Sequence, residues 1–142
     1  MDFHVTLDDP RDEGGLAVVL ADLVRGNLDR HPKRADLLRR MRGAVSLVAE
    51  DGDESTPATL LFDGAGVTVR PGLDPSAAVE VRSGYEGIIG LSLVPVRLGL
   101  PVPWTRPTLD LAAALLRGRV RVRGMATNPG LVLRLLALFS VA

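Results

Sequence analysis

The sequence contains no cysteine, and only 4% of its residues are aromatic. Without cysteine there are no disulfide bonds, thiolate nucleophiles or sulfur-ligated metal sites. So few aromatic residues cannot form the stacking platform on which many proteins bind single-stranded nucleic acid. The 17 basic residues are balanced by 17 acidic residues, so the net charge does not attract nucleic acid either. We therefore expect no nucleic-acid partner.

Long hydrophobic runs are also absent. The longest apolar stretch, Leu135 to Ala142, is far shorter than the roughly 20 residues that a membrane-spanning helix needs. The N-terminus is acidic and has no apolar core, so we expect no secretory signal there. The basic residues are arginines except for Lys33, and alanine, glycine, leucine and valine are abundant. This composition is typical of GC-rich bacterial coding, and we expect a cytoplasmic bacterial protein.

No set of residues in the sequence predicts catalysis. His4 and His31 lack a second histidine or a carboxylate at metal-ligand spacing, so we expect structural roles for both. Ser83 and Glu86 have the spacing of a capping box at a helix start rather than that of a nucleophile and its base. Tyr85, the only tyrosine, either donates a hydrogen bond to a bound polar group or packs half-buried. We therefore expect no catalytic residue, no metal and no cofactor.

A chain of 142 residues fits one domain. Residues 1–15 are acidic and irregular, and we interpret them as a loose leader before a single domain over residues 16–142. Residues 94–107 carry four prolines and form an insertion that can be neither a central strand nor a helix. Apolar residues at helical spacing predict five helices, over residues 16–28, 33–41, 84–93, 109–117 and 129–140.

Alternation of apolar and polar residues with a period of two predicts five strands. A tight turn at Asp63 and Gly64 joins the second strand to the third. The last strand alternates Arg119, Arg121 and Arg123 with valines, so its charged side is expected to face water or a docking surface. The apolar sides of the strands form one face of a sheet, composed of Val45, Leu47, Leu60, Phe62, Val79, Val81, Val120 and Val122.

The last predicted helix is apolar on nearly every side. Asn128 is placed to cap its N-terminus, and Pro129 suits its first position. Arg134 is its only charged residue. Because such a helix must be buried almost all round, it has to be covered by neighbouring elements, by a partner subunit or by a lipid.

The order of elements near the C-terminus resembles that of a known family. A helix, a glycine, a basic strand, a second glycine and an apolar helix follow one another in LAAALLRGRVRVRGMATNPGLVLRLLALF, residues 111–139. This order is similar to the C-terminal part of the sterol-carrier-protein-type lipid-binding domain, and the resemblance covers about residues 16–140. The chain departs from the family pattern by a longer joint after Gly124 and by the insertion before Thr108. Both lie where such a domain would admit its ligand.

The resemblance implies an α+β fold with a five-stranded, mostly antiparallel sheet of order 3-2-1-4-5. Helices would pack on one face of this sheet, with an apolar cavity between the sheet and the helices. The implied function is non-catalytic binding or transfer of a lipid-like ligand, such as a fatty acyl chain, a sterol or an isoprenoid. The candidate lipid-binding residues are Leu47, Phe62, Val81, Ile88, Ile89, Trp104, Val120, Val122, Leu131, Leu135, Leu138 and Phe139.

The residues themselves leave three questions open. Small and medium aliphatic side chains can line a cavity, or they can fill a tight core; in the second case the chain is a protein-interaction or homodimerisation module without a ligand. The basic face of Arg34, Arg39, Arg40 and Arg42 either faces solvent or contacts the anionic surface of a membrane. The apolar insertion, which carries Trp104, is either a flap over the cavity mouth or a fixed arm.

Overall fold

The computed structural model describes residues 4–8, 15–97 and 100–141. The helices in these ranges are α1 (Leu16–Arg30), α2 (Ala35–Arg39), α3 (Tyr85–Leu93), α4 (Arg106–Leu116) and α5 (Pro129–Phe139), with a 3-10 turn at Pro32–Arg34. The strands are β1 (His4–Leu7), β2 (Arg42–Asp51), β3 (Glu54–Asp63), β4 (Gly66–Pro71), β5 (Val79–Gly84), β6 (Val96–Arg97), β7 (Leu100–Pro101) and β8 (Val120–Arg123). Within the described residues, each helix is too short or too polar to cross a membrane.

Six of these strands form one mixed sheet of order β1-β4-β3-β2-β5-β8. The pairs β1–β4 and β2–β5 are parallel, whereas the other neighbouring pairs are antiparallel. The five predicted strands are present as β4-β3-β2-β5-β8, in the expected order. The α+β class is therefore confirmed, and the expected strand number is corrected from five to six.

The additional strand, β1, lies inside the segment that the sequence analysis interprets as a loose leader. His4 pairs with Gly66 at one end of β1, and the side chains of Val5 and Leu7 pack partly buried against the core. A strand of four residues is too short to produce a clear alternation, and its stability comes from pairing with a distant strand. The leader interpretation is thus corrected for these residues, while residues 1–3 and 9–14 lie outside the described part.

A layer of helices covers one face of the sheet. α1 lies over β1, β3 and β4, α3 lies over β2 and β5, and α4 lies over β8. The strand residues predicted to point inward all contribute to the core beneath these helices, with Val122 only partly buried. The alternating pattern therefore predicted the buried face of the sheet correctly.

The apolar helix α5, which is described over its whole length, is covered by its own chain. It contacts α1, α3 and β7, and none of its large apolar side chains is exposed. Asn27 of α1, itself fully buried, donates from Nδ2 to the carbonyl oxygens of Leu138 at 3.0 Å and Phe139 at 2.8 Å. These bonds satisfy two of the carbonyl groups that a helix C-terminus leaves without partners. The sequence allowed neighbouring elements, a partner subunit or a lipid to cover this helix. In the structure, neighbouring elements of the same chain cover it.

The start of α3 differs from the predicted capping box. Ser83 belongs to β5, and Gly84 is the N-cap residue without any side-chain hydrogen bond at the cap. The pairing of β2 with β5 continues to the pair Glu50 and Gly84, so the chain is still a strand at Ser83. The capping box therefore does not form.

The insertion contains more regular structure than its prolines suggest. β6 and β7 form a separate short hairpin, and α4 begins at Arg106, before the predicted start at Leu109, with Pro107 in its first turn. Proline fits there because the first N–H groups of a helix have no partner within the helix. Val94 and Val102 are buried, so both ends of the insertion are anchored to the domain.

Candidate functional site

The helices α3 and α4 run antiparallel to each other at the β8 edge of the sheet. α3 follows β5 directly, and α4 ends shortly before β8. Because Ser83 of β5 pairs with Val120 of β8, the start of α3 and the end of α4 lie at the same end of the two strands. The insertion connects the opposite ends of the helices. The space between the helices is a cleft with a volume of about 600 Å³.

One wall of the cleft consists largely of backbone. Gly84, Gly87 and Gly90 recur every three residues at the start and along the length of α3, and all three line the cleft. A spacing of three places residues near one face of a helix, so α3 presents a strip without side chains. A Cβ atom at Gly90 would have nothing within 4 Å, so the cleft is open beside this glycine.

Apolar side chains form the opposite wall, one end and the floor. Pro107, Leu111 and Ala114 of α4 lie along the wall, Leu93 lies at the end of α3, and buried Val120 forms part of the floor. A concave space of this size with a mainly aliphatic lining and a few polar groups is typical of a small-molecule site. The arrangement can hold an apolar chain and shield it from water.

Polar side chains line the same cleft at defined places. Ser83 and Arg119 lie at the end near the sheet, with Glu86 in the first turn of α3. Asp110 of α4 also lines the cleft and accepts a bond from Arg106 Nε to its Oδ1 at 3.2 Å. This pair lies one turn apart on the exposed surface of α4.

The hydroxyl group of Ser83 has an unusual environment. The residue is only 2% exposed, and its side chain has no hydrogen-bond partner among the described residues. Since no fully enclosed side-chain oxygen in the described part of the chain lacks a partner, the Ser83 Oγ atom keeps a small exposed area, and Ser83 is one of the residues that line the cleft. The floor of the cleft therefore combines an unused hydroxyl group with the apolar side chain of Val120.

The cleft contains one of the twelve predicted lipid-binding residues, Val120. Ile89 and Trp104 lie on the surface, 57% and 79% exposed, and Val122 packs partly buried against the core. The remaining eight residues are buried in the core, away from the cleft: Leu47, Phe62, Val81, Ile88, Leu131, Leu135, Leu138 and Phe139. The apolar pattern identified buried positions, but the cleft lies between two helices at the sheet edge rather than under the whole helix layer.

Sequence reasoning missed the glycine strip and the apolar residues of α4 that face it. A usable signal is present in SGYEGIIGL, residues 83–91. Each glycine inside a helix costs about 1 kcal/mol relative to alanine. Repeated glycines at helical spacing therefore indicate a close approach or an open space beside that face of the helix.

His31 does not line the cleft. His31 ends α1, where its backbone N–H donates to the Asn27 carbonyl oxygen at 2.8 Å, and the side chain of His4 lies outside the described part. Across residues 4–8, 15–97 and 100–141, no three His, Cys, Asp or Glu side chains are grouped so that they could hold a metal ion.

The sheet order and the helix layer define a sterol-carrier-protein-type fold. The chain is similar to a solved structure described as "UbiJ-SCP2 Ubiquinone synthesis protein", with a TM-score of 0.57 and 20% identity over 89% of each chain. It is also similar to the sterol carrier protein domain 2 of Helicoverpa armigera, with a TM-score of 0.57 and 15% identity over 86% of this chain and 83% of that chain.

A third solved structure, of sterol carrier protein 2, has a TM-score of 0.51 and 14% identity over 85% of this chain and 91% of that chain. No protein-family model and no curated protein matches the sequence. At these identities the likeness concerns the fold, and the predicted fold family is confirmed.

Proposed function

We propose that this chain binds a lipid-like molecule without catalysis, for transfer or presentation, in the cleft between α3 and α4. The ligand class is that expected from the sequence: a fatty acyl chain, a sterol or an isoprenoid. The observation that carries the proposal is the apolar cleft of about 600 Å³, which lies within the size range of small-molecule sites. Similarity in fold to sterol carrier proteins supports it. As the sequence predicts, we place this activity in the cytoplasm.

The binding force in such a cleft is the removal of hydrocarbon from water, worth about 0.8 kcal/mol for each buried methylene. An aliphatic wall distinguishes poorly between chains that differ by one methylene, with roughly tenfold discrimination or a little more. We therefore expect several chains of similar length to bind, with affinities that differ by roughly tenfold for each methylene. Mass spectrometry of an organic extract from the purified full chain should identify the molecules that it carries.

The sharpest test is to fill the cleft from its backbone wall. In a Gly90→Leu variant the new side chain enters open space, because nothing lies within 4 Å of the new Cβ atom. Displacing about four ligand methylenes would cost about 3 kcal/mol, so the affinity for a fluorescent fatty acid should fall roughly a hundredfold. The fold should be retained, since leucine favours a helix more than glycine does.

A matched control is available in α1. Gly26→Leu also replaces a helical glycine, and the nearest atom to its Cβ position is Arg30 Nη2 at 3.8 Å, away from the cleft. This variant should bind the fatty acid as the parent chain does. Equal affinity of Gly90→Leu and the parent chain would rule out the cleft as the binding site.

The second candidate function is an interaction or homodimerisation module with no ligand. It is favoured by apolar side chains on the surface, above all Leu116 and Trp104, which are 90% and 79% exposed. Sedimentation of the full chain and of a Leu116→Glu variant distinguishes the two functions. A dimer that Leu116→Glu dissociates, together with an extract free of lipid, would favour the module.

We do not extend the proposal to membrane contact through the basic face of the second helix. Arg34 Nη1 donates to the Ser140 carbonyl oxygen, and Arg42 Nη1 donates to the Asp63 carbonyl oxygen at 3.0 Å. Arg39 forms an ion pair with a neighbouring aspartate at 3.5 Å. Three of the four arginines are thus bonded within the chain, and Arg42 belongs to β2 rather than to the helix.

A further inference from the structure

Three features meet at the end of the cleft near the sheet, and together they determine the chemistry that this end can bind. The first is the hydroxyl group of Ser83, a buried residue that lines the cleft, and this group has no partner among the described residues. A hydroxyl group at an apolar floor gains from a ligand oxygen, because a bound chain excludes the water that could otherwise hydrogen-bond to it. A purely hydrocarbon ligand would leave this group unsatisfied.

The second feature is the N-terminus of α3, which begins beside Ser83. Its N-cap residue is Gly84, and no side chain bonds to the cap. The first N–H groups of a helix have no partner within the helix, and the helix dipole adds a partial positive charge at this end. Because Gly84 has no side chain and lines the cleft, a ligand oxygen can approach the backbone closely.

The third feature is Arg119, which lines the same end of the cleft. It forms no ion pair with any of the described residues. Its position follows from the pairing of Ser83 with Val120, which places the residue before Val120 next to the start of α3. A hydroxyl group, a helix N-terminus and a guanidinium group all favour a negatively charged oxygen.

Two carboxylates, Glu86 and Asp110, also line the cleft, and their negative charges oppose the binding of a negatively charged ligand. Asp110 is engaged by Arg106 and lies on the part of α4 nearer the insertion. Glu86 and Arg119 are both exposed, so water and salt screen both charges. The place of Glu86 in the first turn of α3 is the one that the helix dipole itself favours. The buried group at this end is Ser83, whose neutral hydroxyl group can donate to a carboxylate oxygen.

We infer that the end of the cleft near the sheet binds the carboxylate of a single-chain amphiphile. The hydrocarbon chain of this ligand then runs between α3 and α4 towards the insertion. This inference rests on the proposed function and adds the orientation and the head group of the ligand. Ser83 donates a hydrogen bond to a carboxylate oxygen, and Arg119 supplies the opposite charge. The preferred ligand is then a free fatty acid rather than a sterol or a neutral lipid.

The test compares three probes that share the same alkyl chain and differ in their head group: dodecanoic acid, dodecanol and dodecylamine. Calorimetry on the full chain should give the highest affinity for the acid. Because Arg119 is exposed, Arg119→Gln should lower the affinity for the acid about threefold to fivefold and leave that for the alcohol within about twofold. Ser83→Ala should lower the affinity for the acid about threefold to tenfold, without loss of thermal stability, because no protein partner is left unpaired.

Matched controls lie close to both residues. Arg117→Gln removes an exposed arginine at the end of α4 that does not line the cleft. Ser92→Ala removes another buried serine, whose hydroxyl group donates to the Ile89 carbonyl oxygen within α3 at 2.6 Å. Neither control should change the ratio of the affinities for the acid and the alcohol.

Equal binding of acid and alcohol, unchanged by Arg119→Gln and Ser83→Ala, would overturn this inference and leave the proposed function intact. Tighter binding of dodecylamine than of the acid would overturn it as well, because Glu86 would then dominate the end of the cleft. If none of the three probes binds, the inference fails; the proposed function fails with it only if the organic extract of the purified chain also contains no lipid.

Discussion

Gly87 of α3 lies directly against Ser83 of β5. A Cβ atom at position 87 would come within 1.8 Å of Ser83 Oγ, 2.9 Å of Ser83 Cβ and 3.0 Å of Val120 Cγ2. The helix can therefore approach the two paired strands at this distance only because residue 87 has no side chain. The same contact holds the Ser83 hydroxyl group at the floor of the cleft.

This contact predicts opposite effects of the same substitution at neighbouring glycines. Gly87→Ala should lower the free energy of unfolding by about 1–3 kcal/mol, because overpacking forces the strands and the helix apart. Gly90→Ala should raise it by up to about 1 kcal/mol, since its methyl group enters open space and alanine favours a helix. Urea denaturation of both variants measures the difference.

Ser83→Ala should relieve part of the cost of Gly87→Ala, because it removes the atom at 1.8 Å and leaves the contacts at 2.9 and 3.0 Å. A double-mutant cycle detects this coupling. Strictly additive effects of the two substitutions would contradict the contact.

The fold was largely predictable from the sequence because its signals are local and repeated. Alternating residues such as Val45, Leu47 and Val81 mark the inner face of each strand, and the structure buries them. β1 was missed because four residues carry too little pattern. The cleft was missed because its open volume depends on the distance between α3 and α4, which the glycines and the insertion set together and no single periodicity records.

Leu135 illustrates the difference between a core residue and a residue of the cleft. It is buried in the core and does not line the cleft. Leu135→Ala should therefore cost about 2–5 kcal/mol of unfolding free energy, the range for a leucine in a tightly packed core. Fatty-acid affinity, measured by calorimetry well below the unfolding temperature, should stay unchanged.

A suitable comparison for this prediction is Leu111→Ala in α4, which lines the cleft and is only partly buried. Leu111→Ala should lower the free energy of unfolding less than Leu135→Ala does, and it should lower the affinity for the fatty acid more. A large loss of affinity in Leu135→Ala, with little loss of stability, would instead place the ligand beneath α5.

The charged side of β8 is predicted to contribute little to stability. Arg121 Nη2 donates to Glu50 Oε1, but the two side chains are 57% and 36% exposed, and exposed ion pairs are worth little. Arg121→Gln should change the free energy of unfolding by less than about 0.5 kcal/mol. Arg82→Gln should cost more, because its partner Glu80 is only 14% exposed and bonded at 2.9 Å. Thermal denaturation of the two variants should reveal this order, and the reverse order would refute it.

The insertion begins and ends at the cleft, which gives it the position required of a flap. Leu93, just before it, and Pro107, its last residue, both line the cleft. Val94 and Val102 are buried, and the Val102 N–H donates to the Pro95 carbonyl oxygen at 2.9 Å. Val94 and Val102 are thus fixed to the domain, and movement on ligand binding is expected at the exposed Trp104.

Trp104 is the only tryptophan, so the tryptophan fluorescence of the protein reports this segment alone. Because its side chain is 79% exposed, closure of the insertion over a bound chain should move it into a less polar environment. We predict a saturable blue shift of its emission on titration with dodecanoic acid, with the same midpoint as the calorimetric binding curve. Gly90→Leu, which fills part of the cleft, should move the midpoints of the emission shift and of the calorimetric binding curve to the same higher concentration. If calorimetry shows that the acid binds while Trp104 emission stays constant, the insertion is a fixed arm and not a flap.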